Sequence, residues 1–130
     1  MPAGDYCSGW KEYYGIGRWT YSQIEFCLTY DTTKTTKVKI KTQDAQYHWG
    51  GAWYKANTHT IAQHNTGSVD GTAFSGGSGT ITSPGSWTID TGAYYGCGAH
   101  TLAIQATSAG PYWGADAEIS IYASFPITVC

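Results

Sequence analysis

The alternation of apolar and polar residues between positions 18 and 31 constrains the fold more than any other feature of this sequence. The even positions carry Ile24, Phe26, Leu28 and Tyr30, and the odd positions carry Glu25, Cys27 and Thr29. Successive side chains of a β-strand point to opposite faces, so this pattern predicts a strand with its even face in a hydrophobic core. Further short alternating segments follow, and no stretch of the sequence has helical periodicity.

Length and composition support an all-β fold in a single domain. The chain has 130 residues, of which 17 are glycine and only 12% are charged, with Thr, Ser and aromatic residues filling the difference. This balance favours strands and tight turns over helices. The predicted fold class is an all-β, antiparallel sandwich of about eight short strands with Greek-key connections. Residues 1–17 are expected to form an irregular N-terminal arm, and residues 18–130 a single β-sandwich domain.

The cysteines predict two disulfides and an oxidising compartment. They are Cys7, Cys27, Cys97 and Cys130, and none forms the Cys-x-x-Cys pair of a zinc or redox motif. Cys27 points away from the core, so its partner is expected from a segment across the outer face, and the N-terminal arm is the nearest candidate. Among the possible pairings we therefore favour Cys7–Cys27 with Cys97–Cys130. The alternative is four buried free thiols in a cytosolic protein.

The sequence is expected to be a secreted domain in its mature form. Residues 1–5 are interpreted as the beginning of such a mature domain, with a start codon placed directly before it. The chain has no N-x-[ST] glycosylation sequon, and its Thr/Gly/Trp-rich, two-disulfide style is typical of small secreted bacterial proteins. It contains no apolar run long enough to span a membrane, so membrane insertion is not expected.

A second alternating segment predicts a strand that begins near position 36. Its inward positions are Thr36, Val38 and Ile40, and its outward positions are Lys37, Lys39 and Lys41. One interpretation of the lysines is a site for an acidic partner. The interpretation we favour is an edge strand, because outward lysines at the edge of a sheet oppose aggregation between sheets.

The segment 43–55 combines a break in the alternation with a high density of aromatic side chains. After Thr42 the inward positions change from even to odd, which predicts a β-bulge. Gly50 and Gly51 permit a sharp bend within the segment. Positions 110–116 partly resemble this segment, since Tyr112 and Trp113 precede Gly114 as Tyr47 and Trp49 precede Gly50.

Adjacent aromatic residues predict that several large rings lie outside the core. Neighbours on a strand point to opposite faces, so only one ring of each adjacent pair can be buried. The pairs are Tyr13-Tyr14, Trp53-Tyr54, Tyr94-Tyr95 and Tyr112-Trp113. Four other rings are assigned to the core by their residue type: Trp19, Phe26, Phe74 and Trp87.

The expected binding site is a shallow groove at the two aromatic corners. Its rings are Tyr47, Trp49, Trp53, Tyr112 and Trp113, and its polar residues are Asp44, His48 and Asp116. Exposed Tyr and Trp are typical of binding surfaces because they bury a large apolar area at little entropic cost. Flat rings beside short polar side chains suit a sugar, which stacks its C–H face and hydrogen-bonds through its hydroxyls. The predicted function is a secreted, non-catalytic binding module that recognises a glycan.

Two other functions fit the same residues. A structural or adaptor subunit of a larger secreted assembly, such as a toxin complex or a filament, would bind a protein partner through the aromatic surface and the N-terminal arm. An inhibitor of an extracellular hydrolase would present projecting loops on a rigid, disulfide-linked sandwich. The partner is accordingly expected to be a glycan or another secreted protein.

The sequence does not predict an enzyme, a cofactor or a metal site. Asp116 and Glu118 would share one strand face, but any Asp-x-Glu on a strand gives that arrangement. The sequence has no Gly-x-Ser-x-Gly nucleophile motif, and no pair of its histidines has metal-ligand spacing. The net charge of −2 argues against nucleic acid as a partner.

Overall fold

The computed structural model describes residues 3–32, 34–55, 58–74, 79–82, 85–109 and 118–130 of the chain. These residues form eleven β-strands and one 3-10 turn at Ile16–Arg18, which is more strands than expected. In chain order the strands are β1 (Gly4–Cys7), β2 (Lys11–Tyr14), β3 (Thr20–Tyr30), β4 (Lys37–Trp49), β5 (Ala52–Lys55), β6 (Thr58–Val69), β7 (Thr72–Phe74), β8 (Gly79–Thr82), β9 (Gly85–Asp90), β10 (Gly98–Ala109) and β11 (Ile119–Val129). None of the described segments is a helix that could cross a membrane.

The strands form two antiparallel sheets, which confirms the predicted all-β sandwich class. In the first sheet β3 pairs with β4, while β1 and β2 follow one another along the far side of β3. β5 and β9 likewise share the far side of β4. In the second sheet β11, β10 and β6 are neighbours in that order, and β7 and β8 share the far side of β6. The Greek-key connectivity stays a prediction.

The core lies between the two sheets, where alternate side chains of both sheets meet. Ile24, Phe26 and Leu28 of β3 are fully buried, as their even positions predicted. The Phe26 ring stacks on Phe125 of β11, with ring centroids 5.2 Å apart. The second sheet contributes further buried side chains, among them Val69, Leu102, Ile104, Ile119, Ile121 and Ile127. Removal of this apolar surface from water is the main force that holds the two sheets together.

Both favoured disulfides are present. Cys7 lies directly opposite Cys27 in the β1–β3 ladder, with Cα atoms 4.0 Å apart. Cys97, just before β10, bonds to Cys130, directly after β11, with Cα atoms 5.2 Å apart. Cys27 faces away from the core as expected, but Cys7 reaches it from the neighbouring strand and not from a segment that crosses the face. Paired cysteines are consistent with an oxidising location.

Two expectations about strand neighbours are wrong. Positions 4–7 and 11–14 of the N-terminal arm are not irregular, because they form β1 and β2 and complete one edge of the first sheet. β4 is not an edge strand, because β3 pairs with one side of it and β5 and β9 pair with the other. Its outward lysines form ion pairs on the sheet surface: Lys37 with Asp31 (3.0 Å), Lys39 with Asp5 (3.2 Å) and Lys41 with Glu25 (3.1 Å).

His100 connects two turns at one end of the second sheet. Its Nδ1 lies 2.5 Å from Oδ2 of Asp70, and its Nε2 lies 2.6 Å from the carbonyl oxygen of Gly96. Both partners are hydrogen-bond acceptors, so the two bonds form together only when the imidazole carries two protons. The hydrogen bond to Asp70 raises the pKa of His100, and the same bond lowers the pKa of Asp70.

Gly67 in β6 lies close to β10, and its replacement should destabilise the fold. A Cβ atom at Gly67 would lie 2.0 Å from the carbonyl oxygen of Ala103. We expect Gly67→Ala to lower the free energy of unfolding by about 1–3 kcal/mol, the usual effect of overpacking. Gly96→Ala is the matched control, since its Cβ would meet only the Tyr94 ring, at 3.9 Å. Chemical denaturation measures both variants, and equal stabilities would contradict the close contact.

The stability of the protein should depend on pH through His100. Because its folded-state pKa is raised, its contribution is complete below the ordinary pKa of 6.5 and is lost as the pH rises through the folded-state value. The contribution of Asp70 is complete above its ordinary pKa of 3.8 and is lost as the pH falls through its lowered value. Thermal unfolding of the wild type and of His100→Gln, from about pH 5 to about pH 9, should show a difference in stability that shrinks toward alkaline pH. A constant difference would contradict a doubly protonated imidazole.

Candidate functional site

The β4–β5 hairpin carries most of the predicted site residues, and a β-bulge decides which way each one points. Gln43 pairs with Gln23 but Gln46 pairs with Tyr21, so β4 holds one more residue than β3 between these two pairs. Asp44 lies in this bulge with a φ of 53°. The bulge predicted from the break in the alternation is therefore confirmed, and it reverses the parity of every later residue of β4.

The tip of the hairpin presents aromatic side chains on two opposite faces. Gly50 and Gly51 close the hairpin with left-handed φ angles of 59° and 82°, the conformation of a two-residue turn that glycine favours. On one face Tyr47 stacks against Tyr54 with ring centroids 5.5 Å apart. Trp49 lies on that same face, two residues after Tyr47 on the strand.

His48 and Trp53 occupy the other face of the hairpin, with ring centroids 5.1 Å apart. The structure thus brings together His48 and Trp53 of the expected groove, but it places Tyr47 and Trp49 on the opposite side of the sheet. Three further members of that groove, Tyr112, Trp113 and Asp116, lie outside the described residues.

His48 and Trp53 belong to a group of rings on the outer face of the first sheet, which we term the outer aromatic cluster. Its members are Tyr14, Trp19, Tyr21, His48 and Trp53. The His48 ring lies between two indoles, with its centroid 5.6 Å from that of Trp19 and 5.1 Å from that of Trp53. Trp19 is 41% exposed and Trp53 is 42% exposed, so each indole keeps a large part of its surface in solvent.

The prediction that Trp19 belongs to the core is wrong, because the structure places its side chain outside the core. Trp19 directly precedes β3 and has a helical backbone conformation at the end of the 3-10 turn, so the alternation of the strand does not fix the direction of its side chain. Its position is set by the turn and by the contact with His48. Tyr14 enters the cluster through its place opposite Tyr21 in the β2–β3 ladder, which no local pattern indicates.

The backbone around Trp19 holds its indole in a fixed position. The N–H of His48 donates to the carbonyl oxygen of Trp19 at 2.8 Å, which joins the two ring-bearing segments. The indole packs so closely against Gly17 that a Cβ atom there would lie 2.7 Å from the ring. Next to it, the guanidinium of Arg18 lies over the Tyr14 ring, 3.9 Å from its centroid, in a cation–π contact.

Hydrogen-bonding side chains line the outer face beside these rings, and we term them the polar strip. They are Glu12, Gln23, Gln43, Asp44, Gln46 and Lys55. The Tyr21 hydroxyl connects them to the outer aromatic cluster, since it donates to Glu12 at 3.0 Å and accepts from Gln23 at 2.8 Å. Gln43 in turn donates to the side-chain oxygen of Gln23 at 2.7 Å.

The carboxylate of the bulge residue Asp44 accepts hydrogen bonds from two other side chains of the polar strip, Lys55 and Gln46. The hydrogen bond from Lys55 lowers the pKa of Asp44, and Gln46 donates to the same carboxylate oxygen at 3.0 Å. Burial raises the pKa of the Tyr21 hydroxyl. At neutral pH the surface therefore presents an ionised carboxylate next to a neutral phenol.

Charges on this surface are balanced. The carboxylates of Glu12 and Asp44 are matched by the cationic groups of Arg18 and Lys55, so these four residues sum to no net charge. Exposed rings offer a flat apolar area, and amide and carboxylate groups beside them offer donors and acceptors. Such a surface can hold an uncharged ligand that has both an apolar face and many hydroxyl groups.

One group of side chains in the described part of the chain has the spacing of metal ligands. It consists of Cys7, Glu25 and Cys27. The two sulfur atoms form a disulfide, so they are not available as thiolates, and the Glu25 carboxylate pairs with Lys41 at 3.1 Å. The group is therefore structural in the oxidised protein.

Replacement of Gly17 should displace the Trp19 indole from the outer aromatic cluster. Gly17→Ala introduces two costs, a left-handed φ of 65° for a residue with a Cβ and a clash with the ring. Gly9→Ala is the matched control, since Gly9 has a φ of 87° but open space around its Cβ position. We expect the left-handed φ to cost each variant about 1–2 kcal/mol of stability, Gly17→Ala to lose more because of the clash, and only Gly17→Ala to shift the indole N–H resonance of Trp19. That resonance is assigned with Trp19→Phe, and an unchanged shift would contradict the contact.

Comparison with known proteins finds no match to a family model, to a curated protein or to a solved structure.

Proposed function

We propose that this protein is a secreted, non-catalytic module that binds a neutral glycan. The ligand site is the outer aromatic cluster together with the polar strip. The observation that carries the proposal is the pair of indoles, Trp19 and Trp53, which flank His48 and remain about two-fifths exposed on the outer face of the sheet.

The position of the two indoles outside the core supports a binding role. The core between the sheets consists of aliphatic side chains, Phe residues and Tyr30, with Trp87 packed against it, and neither Trp19 nor Trp53 belongs to it. Large rings that remain exposed in a group are a feature of binding surfaces, because water leaves them readily when a ligand arrives. Their contacts with Gly17 and Tyr14 hold them in place before binding, which lowers the entropy lost on association.

The neighbouring polar groups support a sugar as the ligand. A pyranose ring has a C–H face that stacks on an indole and equatorial hydroxyls that extend sideways from it. The polar strip supplies both donors and acceptors in that direction, through Gln46, Asp44 and Lys55 on the hairpin. The balance of positive and negative groups favours a neutral polymer over an anionic one.

Secretion is part of the same proposal. The two disulfides, Cys7–Cys27 and Cys97–Cys130, are consistent with an oxidising compartment. A secreted protein would meet polysaccharides outside the cell, where they could serve as its ligands.

Removal of one indole from each face of the hairpin tests the location of the site. Trp53→Ala should weaken binding to a responsive neutral polysaccharide by about tenfold or more, because a stacked ring commonly contributes over 1 kcal/mol. Trp49→Ala is the matched control: it lies four residues away on the same hairpin, is 62% exposed and faces the opposite side. Affinity electrophoresis in gels that contain β-glucan, xylan or mannan, followed by titration calorimetry, measures both variants.

The comparison separates three outcomes. Loss of binding in Trp53→Ala but not in Trp49→Ala supports the outer aromatic cluster. The reverse pattern would move the site to the face of Tyr47 and Trp49. A wild-type protein that binds no neutral or anionic polysaccharide would contradict a glycan ligand and leave a protein partner for the same surface.

A further inference from the structure

The two sheets of the sandwich differ in the charge that their strands carry. The strands of the second sheet, β6, β7, β8, β10 and β11, contain no Asp, Glu, Lys or Arg. The outer face of the first sheet, by contrast, carries the lysine ion pairs and the charged members of the polar strip. About a quarter of the residues of a typical soluble domain are charged, so a sheet without any of these four residue types favours neutral contacts over ionic ones.

A groove of about 620 Å³ lies on the outer face of this second sheet. Its lining includes Ser68, Ala73, Ala103, Gln105, Tyr122 and Ser124. These side chains point outward because each follows or precedes a buried residue on its strand, namely Val69, Phe74, Ile104, Ile121 or Phe125. The volume lies within the usual range of ligand sites, about 300–1,000 Å³.

The register of the strands explains the shape of the groove. Its floor consists of small residues that lie directly opposite one another in three successive strand pairings: Ala73, Ser68, Ala103 and Ser124. They form a row across four strands, so the floor is three strand spacings long, or about 14 Å. In the next row Gln105 and Tyr122 lie opposite each other, and their larger side chains form one wall.

The wall residue Tyr122 presents its ring to solvent. Among the large hydrophobic residues in the described part of the chain it has the greatest exposed fraction, 87%. A Tyr ring offers a flat apolar area and a hydroxyl group, and its ordering by a ligand costs little entropy. Gln105 adds an amide donor and acceptor, while Ser68 and Ser124 add hydroxyl groups. The groove therefore combines one aromatic ring with uncharged hydrogen-bonding groups.

We propose that this groove is a second ligand site and that it binds a segment of a neutral glycan. Sugar hydroxyls exchange hydrogen bonds with the serine, glutamine and tyrosine side chains, while a C–H face contacts the Tyr122 ring. A charged ligand would lose water and gain no opposite charge from the sheet. A peptide that adds a strand needs a sheet edge, but the floor lies over β10, which is paired with β6 and β11.

The second site shares no residue with the outer aromatic cluster. The two sites lie on the outer faces of different sheets, so they face in opposite directions. One chain would hold two glycan segments at once and gain avidity for a polymer surface, a consequence that rests on the proposed function. The groove offers one ring where the cluster offers two indoles, so we expect it to bind more weakly.

Titration of the oxidised protein with cellohexaose, xylohexaose and mannohexaose, followed by nuclear magnetic resonance, measures the two sites separately. The amides of Ala103 and Ser124 report on the groove, and the indole N–H of Trp53 reports on the cluster. We expect both sets of resonances to shift with the responsive sugar. Tyr122→Ala should weaken the affinity measured at the groove by about tenfold or more and leave that measured at Trp53 unchanged.

A second substitution fills the groove without removal of a ring. Ala103→Leu raises the floor and should weaken the groove affinity by about tenfold or more. Ala99→Leu is the matched control, since Ala99 lies on the same face of β10, opposite Thr128, and does not line the groove. Circular dichroism and thermal unfolding establish that both variants are folded.

The outcomes separate this inference from the proposed function. Shifts at Trp53 alone would overturn the second site and leave the outer aromatic cluster as the ligand site. Shifts at the groove alone would support the second site and contradict the proposed location of the first. No shift at either site with any of the three sugars would overturn both. Equal groove affinities in Ala103→Leu and Ala99→Leu would also overturn the second site.

Discussion

The pleat of β3 is the constraint on which the rest of the structure depends. Its even side chains fill the core against the second sheet, where Phe26 stacks on Phe125, and its odd side chains line the outer face. Because β3 pairs with β1, β2 and β4, its parity is imposed on the whole first sheet. The Cys7–Cys27 bond, the lysine ion pairs and the outer aromatic cluster all lie on the face that this parity leaves outside.

The bulge at Asp44 modifies that constraint at one place, and the candidate site follows from it. Without the extra residue, Tyr47 and Trp49 would face outward and His48 would face inward. With it, His48 comes to lie between Trp19 and Trp53. The bulge also gives Asp44 its unusual backbone conformation and brings its carboxylate to Lys55 and Gln46. The places of His48 and Trp53 in the outer aromatic cluster, and of Asp44, Gln46 and Lys55 in the polar strip, thus follow from a single inserted residue.

Local features were predictable from the sequence, and features set by distant pairing were not. The core face of β3, the bulge and the outward direction of Cys27 follow from alternation within one segment, and the favoured cysteine pairing was inferred from that direction. β1 and β2 were missed because strands of four residues carry too little alternation to identify, and they are ordered by pairing with β3. β4 was misread as an edge because its far side is covered by β9, whose register with β4 leaves no trace in the sequence of β4. Trp19 was misplaced because it lies at the end of a 3-10 turn directly before β3, which no local pattern in the sequence indicates.

The pairing of β4 with β9 has a consequence for how the chain reaches its fold. Lys37 lies opposite Asp90, and β5 to β8 all lie between these two strands in the chain. Among the described residues β6 and β10 are likewise paired although they are distant in the chain, and all-β sandwiches with such pairings are among the slowly folding domains. In a partly folded chain in which β9 is not yet paired, residues 37–42 of β4 form an open edge. The alternating lysines, which form ordinary ion pairs in the finished sheet, are at that stage the charges that keep a nascent edge from pairing with the wrong strand.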